Sequence, residues 1–240
     1  MIGRCAVFTL GRDEVFHLPQ WIAYYSQHFD AHDMYVLDHE SSEPAVHEAL
    51  GEFTGNVISV KNDVVFNHGW LLSTVHGMQR ELLERYDYVL YTDTDEIVIP
   101  SSGNLREFIE RADQPAYRCI GYELVGDQMH RSGMYDKTLL SSHPLTWDYG
   151  YHTAQPGIDP SGELLLYHLH RMDFDHAWEK NLRWARQMWD AEAVARGYSI
   201  QNQITDVELF KEWFYKTGGQ PLQPLPEQLT EVLSRLEQGS

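Results

Sequence analysis

Short apolar runs alternate with stretches in which apolar residues return every three or four positions, and that alternation predicts an α/β chain. Residues 4–10 read as a buried strand, and 11–14 as a polar turn in which Asp13 is placed to cap the helix that follows. Between Pro19 and His28 the residues Trp21, Ile22, Tyr25 and His28 recur at helical spacing, with Pro19 in a first turn where its missing N–H costs nothing. Residues 34–38 form a second strand that stops at a polar cluster, 46–53 a helix, and 56–60 a third strand. Residues 70–85 make a longer amphipathic helix whose stripe is Leu71, Val75, Met78, Leu82 and Leu83. A fourth strand at 88–91 runs into an acidic turn and a second apolar run that ends at Pro100.

Beyond that point the pattern predicts a helix over 104–111, strands over 116–125, 137–141 and 163–171, helices over 175–196 and 206–215, and a last helix over 228–237 after a Gly/Pro-rich link. The expected organisation is one catalytic domain over residues 1–180 and a helical C-terminal extension over 181–240. The start of the chain has only a short apolar run broken by Gly11 and charged residues, which predicts neither a leader nor a transmembrane segment and makes the cytoplasm the expected location. Cys5 and Cys119 sit in apolar stretches and are too few for a disulfide framework, so both read as buried thiols.

Charge narrows the partners. A formal net charge of -18 excludes nucleic acid, whose binders need a cationic face to release phosphate counterions. For a phosphorylated small substrate the same charge demands local cations, either individual Lys and Arg residues or a bound metal.

Asp93 and Asp95 are the place for such a metal. Two residues apart, they leave the same face if strand geometry persists, and two converging carboxylates disfavour each other's ionised form unless a cation joins them. An Asp-x-Asp is by itself an ordinary polar turn. This one follows a buried strand, and the carboxyl end of a strand is where an open α/β sheet binds ligands. A hard divalent ion, Mn2+ or Mg2+, matches oxygen ligands. Further along, period-two alternation puts Leu164, Leu166, His168 and His170 on one face of a strand, so that face passes from leucine to imidazole as it leaves the core. His168 or His170 would complete the coordination shell.

These residues, in this order, resemble glycosyltransferase family 2 and family 92-like enzymes. An Asp13-Glu14 pair after the first strand, Trp21 in the first helix, Asp38 ending the second strand, Asp93-Thr94-Asp95-Glu96 after an aromatic strand, then Lys137, Gly150-Tyr151-His152, and His168 with Lys180 carry the likeness over residues 5–180. It departs at Asp13, where Asn is usual, and in the cluster after Asp38, which lacks the second acidic position. The resemblance implies a GT-A fold, a Rossmann-like mainly parallel sheet flanked by helices, with a donor nucleotide over the carboxyl ends of the first strands. It also implies that Thr9, Arg12, Glu14 and Asp38 line base and ribose, that Thr92, Asp93 and Thr94 face ribose and metal, that Asp95 ligates the ion directly, and that His168 is the late ligand.

The reaction this implies is metal-dependent transfer of a sugar from a nucleotide-diphosphate donor to an acceptor hydroxyl, with inversion. Lys137 and Arg171 would share the diphosphate's charge with the metal, and the general base would be Asp148 or His152, with Asp127 behind them. Trp147, Tyr149 and Tyr151 are flat surfaces for a sugar ring or plain packing residues. Trp178, Trp184 and Trp189 fall at helical spacing, which reads as core or interface and makes the tail a candidate homodimer surface. Three alternatives stand beside this: a nucleotidyltransferase of the same fold, for which the loop at 11–14 has one glycine and one arginine, a metallohydrolase, for which the one His-x-His pair, His168 and His170, comes late in the chain, and a non-catalytic carbohydrate-binding or scaffold protein.

Overall fold

The computed structural model describes residues 4–64, 67–197 and 200–238, so residues 1–3 of the stretch read for a leader lie outside the described residues. Strands and helices alternate as β1 (Cys5–Gly11), α1 (His17–Tyr25), β2 (Met34–Asp38), α2 (Pro44–Glu52), β3 (Asn56–Ser59), α3 (His68–Leu83) and β4 (Tyr88–Tyr91). The four strands lie side by side in the order β3, β2, β1, β4 and are all parallel. Covered on both faces, β1 and β4 are continuous apolar runs, whereas the edge strand β3 alternates between half-buried and exposed residues.

The acidic turn then carries the chain out of this sheet into β5 (Glu96–Pro100), which belongs to a second one. After α4 (Leu105–Glu110), fixed by a capping box of Asn104 and Glu107, β6 (Ala116–Arg118) returns to the first sheet and β7 (Ile120–Val125) to the second. The single strand expected over 116–125 is therefore two. Between them Cys119, fully buried, gives its N–H to the carbonyl of Lys137, and the chain changes sheet there. A hairpin joins β7 to β8 (Gln128–Arg131), and β9 (Thr138–Ser141) pairs antiparallel with both β4 and β6 to complete a six-stranded sheet. A short ladder of β10 (Thr146–Trp147) and β11 (Ala154–Gln155) follows, then β12 (Leu164–His168), which inserts between β5 and β7.

The C-terminal part holds α5 (Phe174–Ala185), α6 (Ala191–Ala195), α7 (Val207–Phe214), β13 (Gln223–Pro224) on the edge of the second sheet, and α8 (Glu227–Gln238). The helix expected over 175–196 breaks after Ala185. Leu229, Leu233 and Leu236 of α8 join the main core, and Phe210 and Phe214 of α7 form a smaller one with Val125 and Ala177. The architecture is α/β, a mainly parallel sheet flanked by helices. Cys5 and Cys119 are buried free thiols, and among the described residues no helix is long and apolar enough to cross a membrane. Asp13 does not cap α1, whose N-cap is Phe16 without a side-chain bond. With a φ of 54°, its carboxylate instead accepts from the N–H groups of Ser42 and Glu43, just ahead of α2.

Candidate active site

A cavity of about 270 Å³ opens where β1 and β4 end and the second sheet begins. The end of β1 lends it Gly11, the loop that follows lends Arg12 and Glu14, and the acidic turn lends Asp93, Thr94 and Asp95. Lys137, Tyr151, His152, His168, His170 and Lys180 complete the polar wall.

The two aspartates take different partners. A turn, closed by the bond from Glu96 N to Asp93 O, replaces the strand geometry that would have kept them on one face. Asp93 accepts from the Tyr91 hydroxyl at 2.6 Å and from Lys137 Nζ at 2.9 Å, and Lys137 also reaches Glu96 at 2.6 Å. Asp95 instead meets Lys180 Nζ at 3.0 Å, and Lys180 reaches Glu14 at 2.8 Å. Each lysine thus bridges two carboxylates. Burial alone would push Lys137 and Lys180 towards neutrality, but the paired carboxylates more than offset it and hold both ammonium groups above their ordinary pKa. Glu96, with no solvent exposure, is lifted by burial to about 7 despite Lys137, and Asp93 adds to the rise.

His168 ends β12 in register with Glu96 on one side and Glu123 on the other. Its Nδ1 lies 2.8 Å from Glu123 Oε1, its Nε2 3.7 Å from Asp95 Oδ1, and its ring stacks on Tyr135 at 4.2 Å. Burial works against an ionised Glu123, yet His168 and Arg171 beside it bring its pKa down to about 2. Gly121 makes the stacking possible, because a Cβ there would sit 2.2 Å from the backbone of Tyr135. His170 has its Nδ1 3.2 Å from Asp95 Oδ2. Burial, against the pull of Asp95 and with Lys180 adding to it, lowers its pKa to about 4, so the ring is neutral and Nδ1–H is the donor.

The donor set fits a divalent cation at two of the four expected ligands. The 3.7 Å between Asp95 Oδ1 and His168 Nε2 is too long for a hydrogen bond and can be bridged by two metal–ligand bonds of about 2.1 Å. A carboxylate behind the second ring nitrogen, as Glu123 stands behind His168, is the usual support of a metal-bound imidazole. Asp93 and His170 do not join them. Among the described residues the one group of three or more side chains with ligand atoms within 4.8 Å of one another is Asp30, His32 and Asp33, which precedes β2 at the opposite end of the sheet and is largely exposed.

Other expected residues take different places. Arg171 does not reach the cavity: Nε pairs with Glu123 at 3.2 Å, and NH1 donates to the carbonyls of Trp213, Phe214 and Lys216, closing the end of α7. Lys180 of α5 supplies the second cation instead. Thr9 is fully buried beneath the site, Thr92 receives the Trp21 indole N–H at 2.8 Å, and Asp38 is spent on the Ser41 N–H, so none of the three lines the cavity. Of the base candidates, Asp127 is exposed on the β7–β8 hairpin and Asp148 is exposed with its carboxylate on Thr153 N. His152 does face the cavity. Its Nδ1 lies 2.8 Å from the Met134 carbonyl, which can only accept, leaving Nε2 with the lone pair. Burial, with Lys137 nearby, lowers its pKa and keeps the ring neutral. Trp147 packs inside, on His76 and with its N–H on Thr138 O.

The sequence reading missed His39, Tyr91, Tyr135, Gln201, Asn202 and Trp213 as lining residues and put Trp184 in the core or an interface, whereas it too lines the cavity. His39 directly follows Asp38 and carried a signal of position. Tyr91, two residues before Asp93, carried the same signal, and the others come from segments that touch the site only after folding.

No protein-family model matches the chain, and no curated protein matches it. Solved structures do resemble it. Glucosyl-3-phosphoglycerate synthase from Mycobacterium tuberculosis, in complex with Mn2+, uridine diphosphate and glucosyl-3-phosphoglycerate, is similar over 51% of this chain and 44% of that one, at 15% identity and a TM-score of 0.34. The galactosyltransferase LgtC, in complex with donor and acceptor sugar analogues, is similar over 50% of this chain and 46% of that one, at 17% identity and a TM-score of 0.28. A 4-diphosphocytidyl-2C-methyl-D-erythritol synthase is similar over 98% of both chains at 15% identity and a TM-score of 0.37. The chain spans under half the length of the first two, and likeness at this level concerns fold class alone.

Proposed function

We propose that this chain is a glycosyltransferase that takes a sugar from a nucleoside-diphosphate donor to an acceptor hydroxyl. The observation that carries the reading is the pairing of Asp95 with His168, braced by Glu123, in a cavity that also receives two buried lysines. Asp95 and His168 would hold a divalent ion, Mn2+ or Mg2+, which when bound supplies Lewis-acid stabilisation of charge on the diphosphate. Lys137 and Lys180 bring fixed positive charge to the same wall, where it acts at low dielectric on an oxyanion leaving group. Arg12 and His39, at the ends of β1 and β2, border the part of the cavity that would take the nucleoside.

In the reaction, the acceptor oxygen forms a bond to the anomeric carbon as the bond from that carbon to the diphosphate oxygen breaks, and the diphosphate leaves with the electron pair. His152 Nε2 takes the hydroxyl proton. It is the one of the three base candidates that faces the cavity, and its neutral ring is ready to accept. Attack from the side away from the diphosphate gives inversion.

Release of nucleoside diphosphate from UDP-, GDP-, CDP- and dTDP-sugars by purified protein with manganese tests the reading. One donor should be consumed, and Asp95→Ala should abolish its consumption. If none of the four diphosphates binds or is released, the chain is not a transferase of this class.

A further inference from the structure

Arg171 follows the two histidines of the cavity directly in the chain, and its side chain is buried behind them without lining the cavity itself. Its guanidinium spends its donors in three directions. Nε meets Glu123 Oε1 at 3.2 Å, NH1 meets the carbonyls of Trp213, Phe214 and Lys216 at 3.2, 2.8 and 2.7 Å, and NH2 meets His130 Nε2 at 3.3 Å. His130 Nδ1 lies 3.1 Å from the Arg131 carbonyl, which only accepts, so Nδ1 carries the proton and Nε2 offers its lone pair to Arg171. The guanidinium also lies over the Trp213 ring, 5.5 Å from its centroid. One planar group thus joins β7, β8 and the end of α7.

The oxygen that takes Arg171 is the one that takes His168, since Glu123 Oε1 lies 2.8 Å from His168 Nδ1. Strand pairing sets His168 opposite Glu123, but it leaves the long glutamate side chain its rotamer freedom. We infer that Arg171 is a positioning residue: it locks the Glu123 carboxylate that orients the His168 imidazole, and it takes its own place from the carbonyls that end α7. A planar fork of donors spans carboxylate, imidazole and backbone at once, whereas the point charge of a lysine does not. The end of α7 and the imidazole are then coupled through one side chain, and each steadies the other. The Tyr135 hydroxyl is bonded to Glu123 as well, so loss of Arg171 loosens the carboxylate without freeing it. The inference rests on the transfer reading only in giving the oriented imidazole a metal to bind.

The test is manganese affinity, by calorimetry, of the full chain and of Arg171→Lys, Glu123→Gln and the double variant, with circular dichroism to show that each is folded at the working temperature. Arg171→Lys should weaken manganese about threefold to tenfold, less than the roughly tenfold or greater loss expected when Glu123, which touches the imidazole, is changed. In the Glu123→Gln background the same substitution should add nothing, because the carboxylate through which Arg171 acts is gone. Hydrogen exchange supplies the reciprocal measurement. Saturating manganese should slow the α7 amides of the wild type about threefold to tenfold and leave those of Arg171→Lys unchanged, and the wild-type arm decides even where a variant does not fold. A guanidinium that only closes the end of α7 would lower the stability of Arg171→Lys with manganese affinity unchanged. That result overturns the inference, as do additive losses in the double variant or wild-type α7 exchange indifferent to bound manganese. If the wild type binds no manganese, the transfer reading falls and α7 exchange alone decides: it should be faster in Glu123→Gln than in the wild type, and equal rates overturn the coupling.

Discussion

Lys137 and Lys180 each stand between two carboxylates, so their charge is balanced within the site and a divalent ion would have to supply the excess positive charge that a diphosphate needs. The carboxylates hold the ammonium groups charged in spite of burial, and the ammonium groups keep the carboxylates from repelling one another. Glu123 is bound into the same network through His168. Its depression from 4.5 to about 2 corresponds to about 3 kcal/mol, in place above pH 4.5 and lost as the pH falls towards 2. Denaturant unfolding of Glu123→Gln should therefore show a loss of about 3 kcal/mol at neutral pH, and the gap to the wild type should close on acidification through that range. A gap of constant size across pH would show that Glu123 is not held ionised. His152→Gln should lower kcat by about a hundredfold or more with nucleotide affinity unchanged. Because burial lowers the His152 pKa, the wild-type rate should stay flat down to below the ordinary imidazole value of 6.5 and fall only under it, as protonation removes the base. Asp95 and His168 were legible in the sequence, since strand ends and alternation place them. The exchange of roles between Arg171 and Lys180 was not, because spacing does not say which cation a helix turns inward and which one caps a neighbouring helix end.

At the scale of elements, the site depends on three adjacent strands, β5, β12 and β7, whose register aligns Glu96, His168 and Glu123. Gly121 of β7 lets the turn carrying Tyr135 lie directly on the strand, and Tyr135 covers the His168 ring. Gly121→Ala forces that turn away, because the clashing atoms are backbone. A loss of about 1–3 kcal/mol is expected in denaturant unfolding, and metal affinity should fall with it as His168 loses its cover. An alanine variant with wild-type stability and wild-type manganese affinity would show that the turn does not position the imidazole. The parallel strands and the helices between them were legible because burial on both faces writes continuous apolar runs. The crossing between sheets at Cys119 was not, since β6 and β7 form one apolar stretch and nothing local marks where the partner changes. The break after Ala185 escaped in the same way, because amphipathic spacing continues through it.

Over the whole molecule, two sheets meet at one acidic turn, and a C-terminal segment closes the far side of the cavity they leave. The first sheet ends in the loops that would take a nucleoside, the second brings the imidazole and its supporting carboxylate, and α5 brings a cation. For the sheet half the order of strands and helices was visible in the sequence, whereas the division into two sheets was not. The share of the C-terminal half in the cavity was hidden, because Trp184, Gln201, Asn202 and Trp213 share no period and meet only in the folded chain. The central claim, that Asp95 and His168 together join a divalent ion to a nucleoside diphosphate, is tested most directly by calorimetric titration of UDP, GDP, CDP and dTDP into the protein with manganese and again with EDTA. At least one diphosphate should bind with manganese and lose about tenfold or more of its affinity in EDTA, with the same loss in Asp95→Ala and in His168→Ala even when manganese is present. Binding that is equally tight in EDTA and in both variants would contradict the claim.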